Sequence, residues 1–269
     1  MSSPRKSARL DKQFEIKLAI FQRQLKKYIK DPNPEVIHDI RTMYRRLEAC
    51  YSLFPRFWRN AKSEKYLKLG KKFFSANSQI RDTDIIANKL ERLITEQTTH
   101  QDDAMRLLQD LKLQRTTRLA SAMRLARHLD RLPQPRLKAS HRLLMQRLRK
   151  KAQRRSNTVS QWVPLILTAQ CKGEDIHAIR KQIKKLCYLL ELITPSNKHQ
   201  ELYKLKQIQH LAGAINDCDV TIEYLNDCSN RVPGSAELAR MERTQRHRQY
   251  VRLTEELKET TWPMASIET

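Results

Sequence analysis

Two short segments hold the side chains best suited to chemistry. His38-Asp39-Ile40-Arg41 is followed by Arg45-Arg46-Leu47, and His177-Ala178-Ile179-Arg180 is followed by Lys184-Lys185-Leu186. In each, a histidine precedes an arginine by three residues and a basic pair by seven and eight. Arginine's planar fork offers a phosphate two parallel hydrogen bonds, and lysine adds a mobile point charge. A histidine among several cations resists protonation unless an anion supplies compensating charge. The chemistry on offer is capture of a phosphate-like anion.

The spacing shows that the two segments are copies. They lie about 139 residues apart, and a second pair of segments recurs in the same order about 135 residues apart: Ile80-Arg81-Asp82-Thr83-Asp84-Ile85 and Ile215-Asn216-Asp217-Cys218-Asp219-Val220. Recurrence of both order and spacing marks a duplicated unit. Two similar basic surfaces could then face one another around a shared anionic ligand. The acid pairs Asp82/Asp84 and Asp217/Asp219 are expected in the first turns of helices, where the dipole favours them. They could also orient nearby arginines as outer-shell partners. Either role is preferred to metal ligation.

The elements that must position these groups are helices. Gly is scarce at 4 residues, whereas Leu, Arg, Lys and Gln abound. The reading is all-α: two antiparallel helical bundles, related by a pseudo-two-fold axis, around a basic groove or pore. Residues 1–9 form a basic tail, 10–132 a first helical repeat and 136–262 a second. In the first repeat, helices are expected over about 10–29, 34–53, 63–76, 80–95 and 102–132. In the second they are expected over about 136–157, 174–193, 196–214, 217–228 and 235–260. Pro133-Gln134-Pro135 divides the repeats, and Thr194-Pro195 ends a helix. The apolar stretch 162–167 is short and expected to pack inside, as part of an apolar linker between helices.

On a helical wheel with His38 at zero, Arg41 falls at about 300° and Arg45 at about 340°. Ile37, Ile40, Tyr44, Leu47 and Tyr51 fall between roughly 180° and 260°. The basic stripe therefore borders the core. In the second copy His177, Arg180, Lys184 and Tyr188 form the stripe, and Arg46, Lys181 and Lys185 widen it. A further basic concentration runs from Lys112 to Arg155 and includes Arg118, Arg124 and Arg147. Within it, Lys150-Lys151 and Arg154-Arg155 read as an exposed patch or a solvated end.

The formal charge of +24 and pI near 10.1 require an anionic partner: nucleic acid, an anionic membrane surface or polyphosphate. Aromatic residues make up only 6% of the chain, which disfavours base stacking as the main source of affinity. Met1-Ser2-Ser3-Pro4-Arg5-Lys6 lacks an apolar signal core. The cysteines show no CxxC spacing and read as reduced. A cytoplasmic protein is expected.

The paired His-x-x-Arg-x-x-x-basic-basic-Leu segments, each followed by an acid-pair element, resemble the CHAD family, the conserved histidine α-helical domain. The resemblance covers about residues 10–260. It implies two pseudo-symmetric helical bundles with a basic central groove, binding of inorganic polyphosphate, and association with polyphosphate granules, without established catalysis or a cofactor. The family motif carries over onto His38, Arg41, Arg45 and Arg46, and onto His177, Arg180, Lys184 and Lys185. Arg81 matches the basic residue before the first acid pair, whereas the second copy has Asn216 there. Lys181, Arg118 and Arg124 complete the candidate polyphosphate-binding set.

Two rivals stand beside this reading. Nonspecific RNA or DNA binding at low salt follows from charge alone, although no RRM, KH, zinc-finger or helix-turn-helix signature is present. A metal-dependent phosphohydrolase would use His38-Asp39 with Asp82 and Asp84. Against that, Asp39 becomes Ala178 in the other copy, and a cationic stripe repels a divalent metal.

Overall fold

The computed structural model describes residues 9–96, 100–168, 173–192 and 200–260. The described chain forms eight α-helices and one short 3-10 turn, Arg56–Trp58, and no strand. The helices are α1 (Leu10–Lys30), α2 (Pro34–Tyr51), α3 (Ala61–Glu96), α4 (Gln101–Arg131), α5 (His141–Leu167), α6 (Gly173–Leu190), α7 (Gln200–Cys228) and α8 (Ser235–Lys258). The tail 1–8, the Thr194-Pro195 stop and Cys171 lie outside the described residues.

The same packing occurs twice. α1 lies on α2, α2 on α3, α3 on α4 and α1 on α4; α5–α8 repeat this order. Each of α1, α2 and α3 also meets its own counterpart, α5, α6 and α7. Like meeting like is what a pseudo-two-fold axis requires. One core fills the α1–α4 side, around Phe14, Phe21, Tyr28, Ile40, Leu47 and Phe73. A second fills the α5–α8 side, around Val159, Ile179, Ile183 and Ile208. A third joins the halves through Ile86, Leu90, Leu107 and Leu111 with Leu225, Leu238 and Ala239.

Two expected breaks do not exist. α3 runs unbroken through 77–79, and α7 runs unbroken through 214–217. Within α3 the Asn77 amide donates to the Phe73 carbonyl at 2.9 Å and the Ser78 hydroxyl to that of Phe74 at 3.0 Å. Such bonds one turn back give the side-chain donor a partner without leaving the helix. The acid pairs accordingly sit mid-helix, not in a first turn. Residues 162–167 pack inside as expected, but they are helix and no linker. They continue α5, with Val163 and Ile166 buried and Pro164 exposed in the last turn.

α2 begins as its sequence dictates. Asn33 caps it by accepting from the Val36 amide at 2.9 Å, and Pro34 occupies the first turn. Its buried face presses Tyr44 against α3, where Gly70 makes room: a Cβ there would sit 2.6 Å from a Tyr44 ring carbon. That ring is held by its hydroxyl, which donates to the Leu67 carbonyl at 3.0 Å, and by stacking on Phe74. Gly70→Ala should therefore destabilise the protein by about 1–3 kcal/mol through overpacking, despite alanine's better helix propensity. A thermal or urea melt checks this, and a gain in stability would show that the ring yields.

Candidate anion-binding groove

α2 and α6 pack side by side near the pseudo-two-fold axis and bring their basic stripes together. Arg41, Arg45, Arg180 and Lys184 lie within each other's electrostatic reach, with Asp82 of α3, Asp217 of α7 and Tyr188 among them. His38 feels Lys184 from the other half. An open cleft of about 750 Å³ continues from His38, Asp39 and Arg81 past Asn33 and Asn88.

The arginines are strongly buried and only partly bonded. Burial pushes Arg41 down to about 10; Asp82 opposes the shift, and Arg81 and Arg45 add to it. Burial lowers Arg180 as well, against the pull of Asp217 and Asp82. The Nε of each has no partner, and both are fully shielded by protein. Arg41 donates to the Ser78 hydroxyl at 3.3 Å, and Arg180 to the Asn216 side-chain oxygen at 2.7 Å. Phe74 lies beneath the guanidiniums of Arg45 and Arg41, at 3.9 Å and 5.3 Å from its ring centre, so an aromatic face supports the first-half pair.

Lys184 is pushed down to about 8, first by burial and then by Arg180 and Arg41. Burial also lowers Lys185, with Arg155 and Arg45 contributing. Both histidines fall below the ordinary imidazole range. The protein packed around them is the main cause, whereas the sequence pointed to neighbouring cations; Arg81 acts second on His38. His177 Nδ1 lies 2.7 Å from the Asn216 oxygen that also accepts from Arg180, so Nδ1 carries the proton. Asn216, where the first half has Arg81, thus orients two groove residues.

The candidate residues do not all converge. Arg81 lines the cleft beside His38. Arg118 donates to the Thr83 hydroxyl at 2.5 Å and acts on Asp82. Lys181 is exposed beside His177. Arg46 turns to Glu191 at 2.9 Å, which also holds Lys206 at 3.1 Å. Arg124 is exposed on α4 and bonds only the neighbouring Ser121 hydroxyl. The Lys150–Arg155 segment is not simply exposed, because Lys151 and Arg155 are half-buried.

Each acid pair divides its labour. Asp82 and Asp217 turn to the central arginines, while Asp84 pairs with Arg115 at 2.6 Å and Asp219 with Arg246 at 2.5 Å. Arg246, Phe74 and Glu191 were not singled out in the sequence, and Arg115 only as part of the basic concentration from Lys112 to Arg155. Their partners lie on other helices, and only the recurrence of an arginine 27 to 31 residues after each second acid hinted at two of them.

The CHAD domain family model matches residues 12–226. The chain belongs to the CHAD family. That family is associated with polyphosphate binding. Among solved structures, the chain is similar to PptA from Streptomyces chartreusis, with 14% identity and a TM-score of 0.68 over 96% of this chain and 100% of that one. It is also similar to the CHAD domain from the plant Ricinus communis, with 17% identity and a TM-score of 0.54 over 98% of this chain and 96% of that one. No curated protein matches in sequence. At these identities the likeness establishes the CHAD fold, and the chemistry must be argued from this chain's own groove. No helix among the described residues is long and apolar enough to cross a membrane.

Proposed function

We propose that the groove between α2 and α6 binds inorganic polyphosphate without catalysis, and that it directs a cytoplasmic protein to polyphosphate granules. The observation that carries this reading is the pair of half-buried arginines, Arg41 and Arg180, set among more cations than Asp82, Asp217 and Glu48, which pairs with Arg45 at 2.8 Å, balance. Each guanidinium keeps N–H donors beyond its one side-chain bond, and an anion entering the groove would accept from them and offset the excess of positive charge. A linear polyanion can meet both copies at once, because the pseudo-two-fold axis sets them side by side. His38, Arg45, Arg81, Arg118, Lys181, Lys184 and Lys185 would add charge along its path. Arg46 and Arg124, turned elsewhere, would contribute little.

The test is binding of long-chain polyphosphate at physiological salt, with RNA and short phosphates as competitors. Polyphosphate should win, and its affinity should fall steeply with salt as condensed counterions are released. Equal competition by RNA would make the groove a general anion trap and favour the nucleic-acid reading. For the hydrolase reading, Asp82 and Asp217 sit among arginines, a poor setting for a divalent cation. Phosphate release with added magnesium or manganese would revive it.

Affinity should also depend on pH. Lys184, facing Arg180, Arg41, Asp217 and Arg45, has its folded pKa depressed from 10.5 to about 8. Its charged form is thus disfavoured in the free protein and favoured by a bound polyanion. Affinity should be greatest below about pH 8 and decline above it, with proton uptake on binding. In the ligand-free protein the sign reverses: Lys184 charge opposes folding below about 8, and that cost is relieved between about 8 and 10.5. Lys184→Arg should flatten the affinity profile above pH 8. An unchanged slope in titration calorimetry would assign the dependence to another group.

A further inference from the structure

The basic concentration on α5 is not absorbed by the groove, and its geometry is peculiar. Three cations converge on the chain just past α2. Lys151 donates to the Ser52 carbonyl at 2.7 Å, Arg147 through Nε to that of Leu53, and Arg59 through Nε to that of Phe54 at 3.1 Å. α2 has no basic residue in its own last turn, so part of this arrangement is a borrowed C-terminal cap.

Capping does not account for all of it. A helix C-terminus carries about half a negative charge, which three cations exceed. Among the described residues, no carboxylate lies within ion-pair distance of Arg59, Arg147, Lys151, Arg155 or Lys185. Lys151 is pushed down to about 8 by burial and then by Arg147, Arg155 and Arg59, all acting in one direction. Arg59, whose guanidinium also lies over the Tyr51 ring at 4.6 Å, and Arg147 each donate to a carbonyl through Nε alone, which leaves the outer N–H groups of each for a second acceptor.

The cluster is also continuous with the groove. Lys185 lies within electrostatic reach of Arg155 on one side and of Arg45 on the other, with Glu48 the one acid acting on it. Arg155 in turn acts on Lys151. Arg155 itself bonds only the Gln182 side chain of α6.

We propose that a long polyphosphate chain leaves the central groove past Lys185 and continues over a second basic track formed by Arg155, Lys151, Arg147 and Arg59, so that the protein selects its ligand by length. This rests on the polyphosphate reading of the groove. From Arg41 to Ser52, α2 advances roughly 16 Å at 1.5 Å per residue. Tripolyphosphate is too short to span that distance, whereas a long chain occupies both regions at once and gains avidity from doing so.

The experiment compares tripolyphosphate with long-chain polyphosphate on the full chain. Lys151→Gln/Arg155→Gln should lower long-chain affinity about tenfold or more and leave tripolyphosphate binding unchanged. Arg155→Gln alone, which disturbs only one side-chain bond, should show a smaller loss of the same kind with an unaltered melting temperature. Unchanged long-chain affinity in both variants overturns the track while leaving the groove standing. Equal loss for the two ligands also overturns it, since the variants would then be acting on the groove. If Arg41→Ala/Arg180→Ala binds both ligands like the wild type, the polyphosphate reading of the groove has failed instead.

Discussion

Replacing Arg41 and Arg180 together with alanine should weaken polyphosphate binding by about two orders of magnitude or more. Each charge-assisted hydrogen bond contributes about 1.5–3 kcal/mol, and about 1.4 kcal/mol is tenfold. Losing two phosphate contacts should also flatten the dependence of log affinity on log salt by about 1.4, if the ligand behaves like a single-stranded polyanion. Lys26→Ala/Lys27→Ala, which removes the same charge from an exposed face of α1, is the proper comparison and should cost little. Lys151 is unsuitable for that purpose because it is half-buried and bonded to a backbone carbonyl. Binding isotherms at several salt concentrations decide the matter. Equal losses from the two pairs would mean diffuse attraction to a +24 protein, and a groove that does nothing special.

The ligand-free protein should tolerate the same change. Burial disfavours the charge on both arginines, so alanine removes a desolvated cation along with some packing over Phe74. A groove kept charged without a ligand is a standing cost to stability, as sites shaped for function often are. The acids limit that cost: Asp82 and Asp217 lie near enough to steady the arginines and too few to neutralise them.

Much of this arrangement was legible in the sequence because it is periodic and local. The 3.6-residue pattern of Ile37, Ile40, Tyr44 and Leu47 fixed which face of α2 is buried, and therefore that Arg41 and Arg45 border the core. Asn33-Pro34 announced the start of that helix. The second copy followed from the first. The continuity of α3 was not legible because the bonds that hold the polar side chains at 77 and 78 one turn back cannot be read from the sequence. Arg46 shares the stripe with Arg45 but turns to Glu191, a choice made by a residue 145 positions away. Phe74 was not singled out in the sequence. Its role under two guanidiniums depends on how α2 crosses α3, which no single helix encodes.

Duplication of sequence need not mean duplication of energetics, and the two outer ion pairs should show this. Arg115→Ala should destabilise the protein by about 3–5 kcal/mol, the usual cost of stranding a buried charge. Arg246→Ala should cost about 1 kcal/mol or less. The arginines are equally exposed, at 26% each, but Asp84 is 4% exposed and Asp219 is 38% exposed. Without Arg115, the Asp84 carboxylate would be enclosed with no cation, and one of its oxygens already lacks a partner. Water can reach Asp219 and replace what Arg246 supplied. Replacing both Asp84 and Arg115 with leucine should recover most of the loss, because the penalty comes from the stranded charge and not from the missing bond. Equal costs for the two single alanine variants in denaturant melts would show that burial does not set the difference. The pair also reaches the groove. Arg115 contacts the Pro32 carbonyl at 3.4 Å, just before the Asn33 cap of α2, and so ties α3 and α4 to the start of the helix that carries His38 and Arg41. Arg115→Ala should therefore weaken polyphosphate binding even where the protein remains folded, whereas Arg246→Ala, which leaves α2 untouched, should not.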